Sequence, residues 1–343
     1  MTKPLLLEDL KHILTHATNA IESLRNARIF ITGGTGFFGV WLLESFIFAN
    51  RTLALNINIV VLTRDAKKFQ QQFPHIAHAD NISFHLGDVR HFEFPAGVFT
   101  HVIHAATEAS AKLNRENPIE MLEVILQGTK HTFDFATACG AKNILLISSG
   151  AVYGRQPPEL THITEDYSGS PDLTKPALAY GIGKRTAEHI AALYSYQHHL
   201  NIKIARCFAF VGPHLPLDVH FAIGNFIRDA LLGKTIEILG DGTPYRSYQY
   251  AADLMIWLFH ILCFGENGVP YNVGSDEAVS IKETAEKVAS FSTSLVTIAK
   301  KANTTILPER YVPSINRAQK ELQLKNMISL NEGIARTMRW YKT

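Results

Sequence analysis

Residues 28–46 read RIFITGGTGFFGVWLLESF: a short β-branched apolar run, a glycine-rich turn, then an apolar helical pattern. Gly33, Gly36 and Gly39 stand in GxxGxxG spacing between the run and the helix. Glycines there permit a tight turn and let the backbone approach a pyrophosphate closely, whose charge then rests on the helix N-terminus. A glycine triplet alone is equally compatible with a tight turn that binds nothing. Its position at the head of a long strand and helix alternation favours the dinucleotide loop.

That alternation runs from Arg28 to about residue 210. Six strand candidates, 29–32, 57–63, 82–86, 101–105, 144–149 and 202–208, are mostly apolar throughout, as strands buried on both faces must be. Helical patterns fit 38–48, 118–138 and 180–197, with an extra amphipathic helix over 5–25. The expected fold is α/β, a doubly wound parallel sheet of the Rossmann type. After residue 210, Pro213, Pro216, Gly233, Gly240, Gly242, Gly268 and Pro270 punctuate shorter elements, with helical stretches near 220–232, 281–291 and 328–341. This predicts a smaller C-terminal lobe. The division expected is 1–206 with 245–275 for the dinucleotide-binding domain, and 207–244 with 276–343 for a substrate-binding lobe.

Composition narrows the partners. A length of 343 residues with 46% hydrophobic content suffices for a large core, and a formal net charge of +2 offers no electrostatic attraction for nucleic acid or an anionic membrane. Cys139, Cys207 and Cys263 lack metal-ligand spacing, and the sixteen histidines include no HExxH pattern, so neither disulfides nor a metal site is expected. The leucine run after Lys3 ends at Glu8 and Asp9, too soon for a secretory segment, and the apolar stretch 254–264 is too short to span a bilayer. The expectation is a cytoplasmic protein.

A second-strand acid normally accepts the ribose hydroxyls of NAD. Here the strand ends VVLTRDAKK, with Thr63 at that place and Arg64 next. A guanidinium can pair with a 2′-phosphate, which favours NADP(H). The alternative, a solvated Arg64 with Asp65 serving the ribose, keeps NAD(H) open. Asp88, in GDVR after the third strand, is placed to meet the adenine.

Tyr180 and Lys184, in YGIGK, share a helix face at i, i+4. A phenol is a poor acid-base group at neutral pH, and a neighbouring ammonium would lower its pKa towards the useful range. The upstream strand ends SSGAVYG and offers Ser149 to the same site. The ordered series TGGTGFFG, GDVR, HAAT, SSGAVYG, YGIGK and RCFAFVGP resembles that of the extended short-chain dehydrogenase/reductases, over about residues 28–275. The resemblance implies a catalytic set of Ser149, Tyr180 and Lys184, with the lysine also bonding the nicotinamide ribose. It implies a cofactor site lined by Gly33, Gly36, Phe37, Phe38, Gly39, Arg64, Asp88, Val89, Ala105 and Ala106. It also implies a homodimer through helices at about 111–138 and 178–199.

Members that act on nucleotide sugars are similar in a second region, LGDGTPYRSYQYAADL, which makes Arg246 the clamp for the substrate diphosphate. The alternative is an Arg246 paired only with Asp253 or Asp241. Asn225 is a further substrate candidate with Ser149, and Glu108, Lys112 and His220 are weaker ones. In the family's 4,6-dehydratases an Asp and a Glu follow the catalytic serine or threonine, and its sugar-acid decarboxylases carry the Glu. Here those positions hold Gly150 and Ala151, neither able to transfer a proton. Two reactions survive, reduction of a nucleotide-linked 4-keto-6-deoxyhexose and 4-epimerisation with tightly held NAD. Arg64 favours the reductase. A catalytically silent dinucleotide sensor is the reading from another class, disfavoured by the intact Ser149, Tyr180 and Lys184.

Overall fold

Ile29 and Ile31 face one hydrophobic core and Phe30 faces another. Alternate side chains of a strand point to opposite faces, so a strand apolar at every position must be covered on both sides. The computed structural model describes residues 2–107, 111–219, 221–303 and 305–342, apart from the side chains of residues 111 and 112. Six strands follow in order: β1 (Arg28–Thr32), β2 (Asn58–Thr63), β3 (Ile82–Leu86), β4 (His101–His104), β5 (Asn143–Ser149) and β6 (Asn201–Cys207). All pair in parallel, in the spatial order β6-β5-β4-β1-β2-β3. The order reverses at β1, and a doubly wound sheet carries its crevice at that point, beyond the carboxyl ends of the strands.

A seventh strand, Pro270–Val273, extends the sheet beside β6 and was not among the six expected. Pro270 opens it, where the absent N–H costs no interior ladder bond. The apolar stretch weighed as a membrane segment belongs to a helix, Ala251–Phe264, buried almost all round against the sheet. A helix apolar on every side is what a covered core position requires. No helix of the described residues is long and apolar enough to cross a membrane.

The leading helix α1 (Leu7–Glu22) packs on this buried helix and on α2 (Phe37–Leu53), the helix that follows the glycine loop. Its fully buried Asp9 accepts hydrogen bonds from Tyr250 Oη at 2.6 Å and from Arg336 at 2.8 Å, so it ties the N-terminus to the C-terminal helix Leu330–Lys342. On the opposite face, helices Pro118–Ala138 and Ala179–His198 pack together. Beyond the sheet's carboxyl end lie short paired segments, among them Tyr245–Arg246 flanked by Val279–Ser280 and Arg310–Tyr311.

Candidate active site

The glycine loop leaves β1 with Gly33 at φ +74°, in the left-handed region, and a Cβ there would lie 2.5 Å from the backbone of Ala105. A Cβ on Gly39 would lie 2.2 Å from the Gly34 backbone. Both glycines are therefore demanded by packing. Gly36 differs, because it is exposed and its Cβ direction meets only the Gly33 carbonyl, at 3.6 Å. The first bond of α2 runs from Val40 N–H to the Gly36 carbonyl, so the N–H groups of Phe37, Phe38 and Gly39 precede it. Such first-turn donors have no partner inside the helix and make an anion site with the helix dipole. A dinucleotide diphosphate fits this cradle.

Around the loop, Ala105 and Ala106 are fixed by Thr32, whose carbonyl and hydroxyl accept their N–H groups at 3.1 and 3.2 Å. Val89 packs against Gly128, where a Cβ would come within 2.9 Å. Asp88 is gripped side-on by Arg90 at 2.8 and 2.9 Å, which holds its carboxyl down at about 2. Arg64 is exposed and makes no ion pair among the described residues. Asp65 caps the helix Ala66–Gln72 by accepting Lys68 N–H at 2.9 Å, so that carboxylate is already engaged locally.

Ser149 ends β5 and Tyr180 and Lys184 sit on the first turns of Ala179–His198, which packs against that strand. The helix start is held by Asn114, whose Oδ1 accepts Tyr180 N–H at 3.0 Å. Lys184 is buried to 3% exposure, and its Nζ donates to the Ile147 carbonyl at 2.8 Å, two residues before Ser149. Burial lowers this ammonium to about 8. Burial pushes the Tyr180 phenol up to about 12, offset in part by a hydrogen bond with Ser149. The expected lowering by a lysine neighbour is thus corrected: Lys184 is turned towards the strand carbonyl, and burial governs the phenol.

Behind the pair lies a buried ionic network. Glu188, one turn beyond Lys184, is bound by Arg206 through contacts of 2.7 to 3.2 Å and accepts the Ser148 hydroxyl. Arg206 also reaches Tyr153 Oη at 2.8 Å and the Glu165 carbonyl at 3.1 Å. Glu188 was missed in the sequence, although its i+4 step from Lys184 places it on the same face.

Arg246 donates to its neighbour's carbonyl, Tyr245 O, at 2.8 Å. The alternative pairings fail: Asp253 binds His12 and the N–H groups of Met327 and Ile328, and Asp241 caps Thr243. Asn225 lies on helix Ala222–Leu231 and accepts from Arg228 at 3.4 Å, and among the described residues it makes no hydrogen bond to Arg246. Glu108 and His220 lie outside the described residues, as does the Lys112 side chain. Two residues not foreseen face Gly150: a Cβ there would meet the Phe208 ring and the Tyr311 hydroxyl, each at 2.7 Å. No carboxylate occupies that position.

Comparison with known proteins agrees with this architecture. Residues 29–274 match the model of the NAD dependent epimerase/dehydratase family. UDP-glucuronic acid decarboxylase 6 of Arabidopsis thaliana is 30% identical over 314 residues, 90% of this chain and 87% of that protein. UDP-glucuronic acid decarboxylase 1 of Danio rerio is 28% identical over 320 residues, 92% of this chain and 72% of the relative. Among solved structures, a dTDP-glucose 4,6-dehydratase from Streptomyces venezuelae with NAD and TYD bound superposes with a TM-score of 0.78 at 22% identity, covering 92% of this chain and 97% of that one. A UDP-glucose 4-epimerase from Thermotoga maritima gives 0.75 at 18% identity, covering 92% and 98%. With a family match over residues 29–274 and a relative 30% identical over 90% of its length, on a parallel sheet with a glycine loop after its first strand, this chain belongs to the NAD dependent epimerase/dehydratase family of nucleotide-sugar enzymes.

Proposed function

We propose that the protein catalyses hydride transfer at C4 of a nucleotide-linked hexose, as an NADP(H)-dependent reductase of a 4-keto-6-deoxy sugar. The observation that carries this reading is the lack of a carboxylate after Ser149. Elimination of water or loss of CO2 in the manner of the dehydratases and decarboxylases needs a proton-transferring group there, and the chain has Gly150 and Ala151. The space beyond Gly150 is filled by Phe208 and Tyr311, so a longer side chain would need both to move. The decarboxylase relatives share the scaffold and the redox part of the chemistry, and the reading parts from them at this position.

In this reaction the first turn of α2 would hold the cofactor diphosphate, with Ala105, Ala106 and Val89 lining the rest of the cofactor site. When bound, the cofactor supplies or accepts the hydride. Tyr180 delivers its phenolic proton to the sugar oxygen as the carbonyl becomes a carbinol, and Ser149 donates to the same oxygen. Lys184, held beside the strand by the Ile147 carbonyl, would bond the nicotinamide ribose. Arg246 clamps the substrate diphosphate, which its bidentate fork suits.

Arg64 is what supports NADP(H) in this reading. It is exposed and makes no ion pair among the described residues, while Asp65 is used as a helix cap. Arg64→Ala is expected to weaken NADPH roughly ten- to hundredfold, one charge-assisted contact's worth, and NADH hardly at all; equal weakening of both would remove the NADP assignment. Mass spectrometry of cofactor released from the purified protein comes first. NADPH consumption with nucleotide-linked 4-keto-6-deoxyhexoses follows. Exchangeable NADP(H) with keto-sugar-dependent oxidation is the expected result.

A second reading, 4-epimerisation with retained NAD, is favoured by the structural neighbours that are themselves 4-epimerases, from Thermotoga maritima and Thermus thermophilus. It requires the same Ser149, Tyr180 and Lys184. Stoichiometric NAD released only on denaturation, with no net consumption, would replace the reductase by the epimerase. The homodimer through 111–138 and 178–199 is part of the same proposal, and the residues Ile119, Leu193 and Tyr196, exposed at 71, 46 and 83% on these helices, are the apolar surface it would cover.

A further inference from the structure

We propose that His104 is a positioning residue for the cofactor site: its imidazole, wedged between β1 and the helix Pro118–Ala138, holds the Thr32 hydroxyl against the Ala106 N–H and so fixes the end of β4 against the glycine loop. The inference rests on the reading of that loop as a dinucleotide site, and adds to it a residue too deeply buried to touch a nucleotide.

His104 opens the HAAT motif and ends β4, and it is 1% exposed. Its Nδ1 lies 2.8 Å from Thr32 Oγ1 and its Nε2 lies 3.1 Å from Thr129 Oγ1, and both threonines are buried. Thr32 ends β1 in register with His104, and Gly33 of the glycine loop comes next. The Thr32 hydroxyl in turn accepts the Ala106 N–H at 3.2 Å. Thr129, His104, Thr32 and Ala106 therefore form one buried chain of hydrogen bonds. One end of it reaches the tightest packing at the loop, where a Cβ on Gly33 would stand 2.5 Å from the Ala105 carbonyl and 2.7 Å from the Ala106 nitrogen. The other end sits beside Gly128, against which Val89 packs. One turn of the helix thus touches two walls of the cofactor site.

Ala106 lies past the end of β4, so its N–H depends on the Thr32 hydroxyl. A threonine side chain has three staggered positions about χ1, and only the one that faces β4 brings Oγ1 to that N–H. The imidazole holds Thr32 there, in either ring tautomer, because a hydroxyl can both donate and accept. Burial, and after it the Lys184 charge, push the imidazole down to about 3, so it is neutral at the pH where an enzyme works. A buried polar ring costs free energy unless its nitrogens are paired, and both are paired here. An apolar side chain could fill the same volume against Phe133, whose ring centroid lies 6.1 Å away, without holding Thr32.

Two amides separate the two ends of the ring. The amide of His104→Asn comes near the place of Nδ1 and keeps a partner for Thr32, whereas that of His104→Gln reaches the place of Nε2 and keeps the partner of Thr129. Each variant gives up one hydrogen bond, so a histidine that only supported the core would lower the urea midpoint alike in both and leave them alike in cofactor affinity. Dissociation constants are read from the fluorescence of bound NADPH or NADH, whichever the wild type holds more tightly. His104→Gln is expected to weaken binding about three- to tenfold, the worth of one hydrogen bond, and His104→Asn by less than about twofold. Thr32→Val, nearly isosteric, cuts the same link without touching the imidazole and should weaken binding at least as much as His104→Gln. The double variant should lose no more than Thr32→Val alone, because the two changes are coupled. Equal affinities in the two amide variants would overturn the proposal, as would losses that multiply in the double variant. If an amide variant does not fold, Thr32→Val still decides, since cofactor binding unchanged in it would break the chain at its last link. A wild type that binds neither dinucleotide removes the reading of the glycine loop, and this proposal with it, before any variant is compared.

Discussion

Tyr180→Phe is expected to lower hydride transfer to the keto sugar by about 10² to 10⁴, the usual contribution of one positioned acid-base group, while NADPH binds as before. The ring of phenylalanine preserves the packing of Tyr180 against the cluster of Met121, Ile125 and Ala187, so the fold should be untouched. The acid-base role proposed for Tyr180 rests on its helix face shared with Lys184, its place beside the end of β5 and a phenol raised to about 12 by burial. A phenol so weakly acidic is an efficient donor to a developing alkoxide and needs added positive charge before it can act as a base in the reverse direction. The reduction should therefore tolerate neutral pH better than the oxidation, whose rate should rise with pH until the phenol ionises. Comparison of kcat in both directions with cofactor dissociation constants checks this. Full activity in Tyr180→Phe would remove the acid-base assignment, and loss of NADPH binding in step with activity would reduce the residue to a cofactor contact.

The parts of the site that follow from local rules were legible in the sequence. A glycine spacing between a strand and a helix states its own geometry, and Gly33 and Gly39 prove to be sterically required. The i, i+4 step of Tyr180 and Lys184 needs only the helix that carries them. What stayed hidden depends on contacts between distant segments. The seventh strand is four residues long and opens with proline, so no alternation announced it. Tyr311 comes to stand against Gly150 because a two-residue strand pairs with another two-residue strand, a register no periodicity encodes. The partner of Lys184 was hidden for the same reason, since the Ile147 carbonyl that binds it at 2.8 Å lies on a different element. Asp253 offers the converse lesson. As a charged residue near Arg246 it looked a plausible ion-pair partner, but it is fully buried and belongs to the N-terminal helix and the segment at Met327.

The largest stability effect is expected at Arg206, in RCFAFVGP. Its guanidinium, 14% exposed, faces a Glu188 carboxylate that is 10% exposed. Taking two charges out of water is costly, and side-on pairing with further bonds to Tyr153 and Glu165 offsets that cost. Arg206→Ala leaves Glu188 buried without its counter-charge and strips a partner from Tyr153, whose ring the guanidinium covers at 4.8 Å. The expected loss is about 3–5 kcal/mol, the range for breaking one side of a buried pair, read as a lower urea midpoint at unchanged slope. Replacing both partners, Arg206→Met with Glu188→Leu, should recover most of it, because two apolar side chains of similar volume carry no desolvation penalty. The double variant then separates stability from catalysis. Glu188 favours the charged form of Lys184 from one turn away, so the refolded double variant should have a more easily deprotonated lysine and a pH profile for hydride transfer displaced downward on its alkaline limb. A single Arg206→Ala that costs under about 1 kcal/mol would mean that water reaches Glu188 freely, and the network would then be a solvated surface pair.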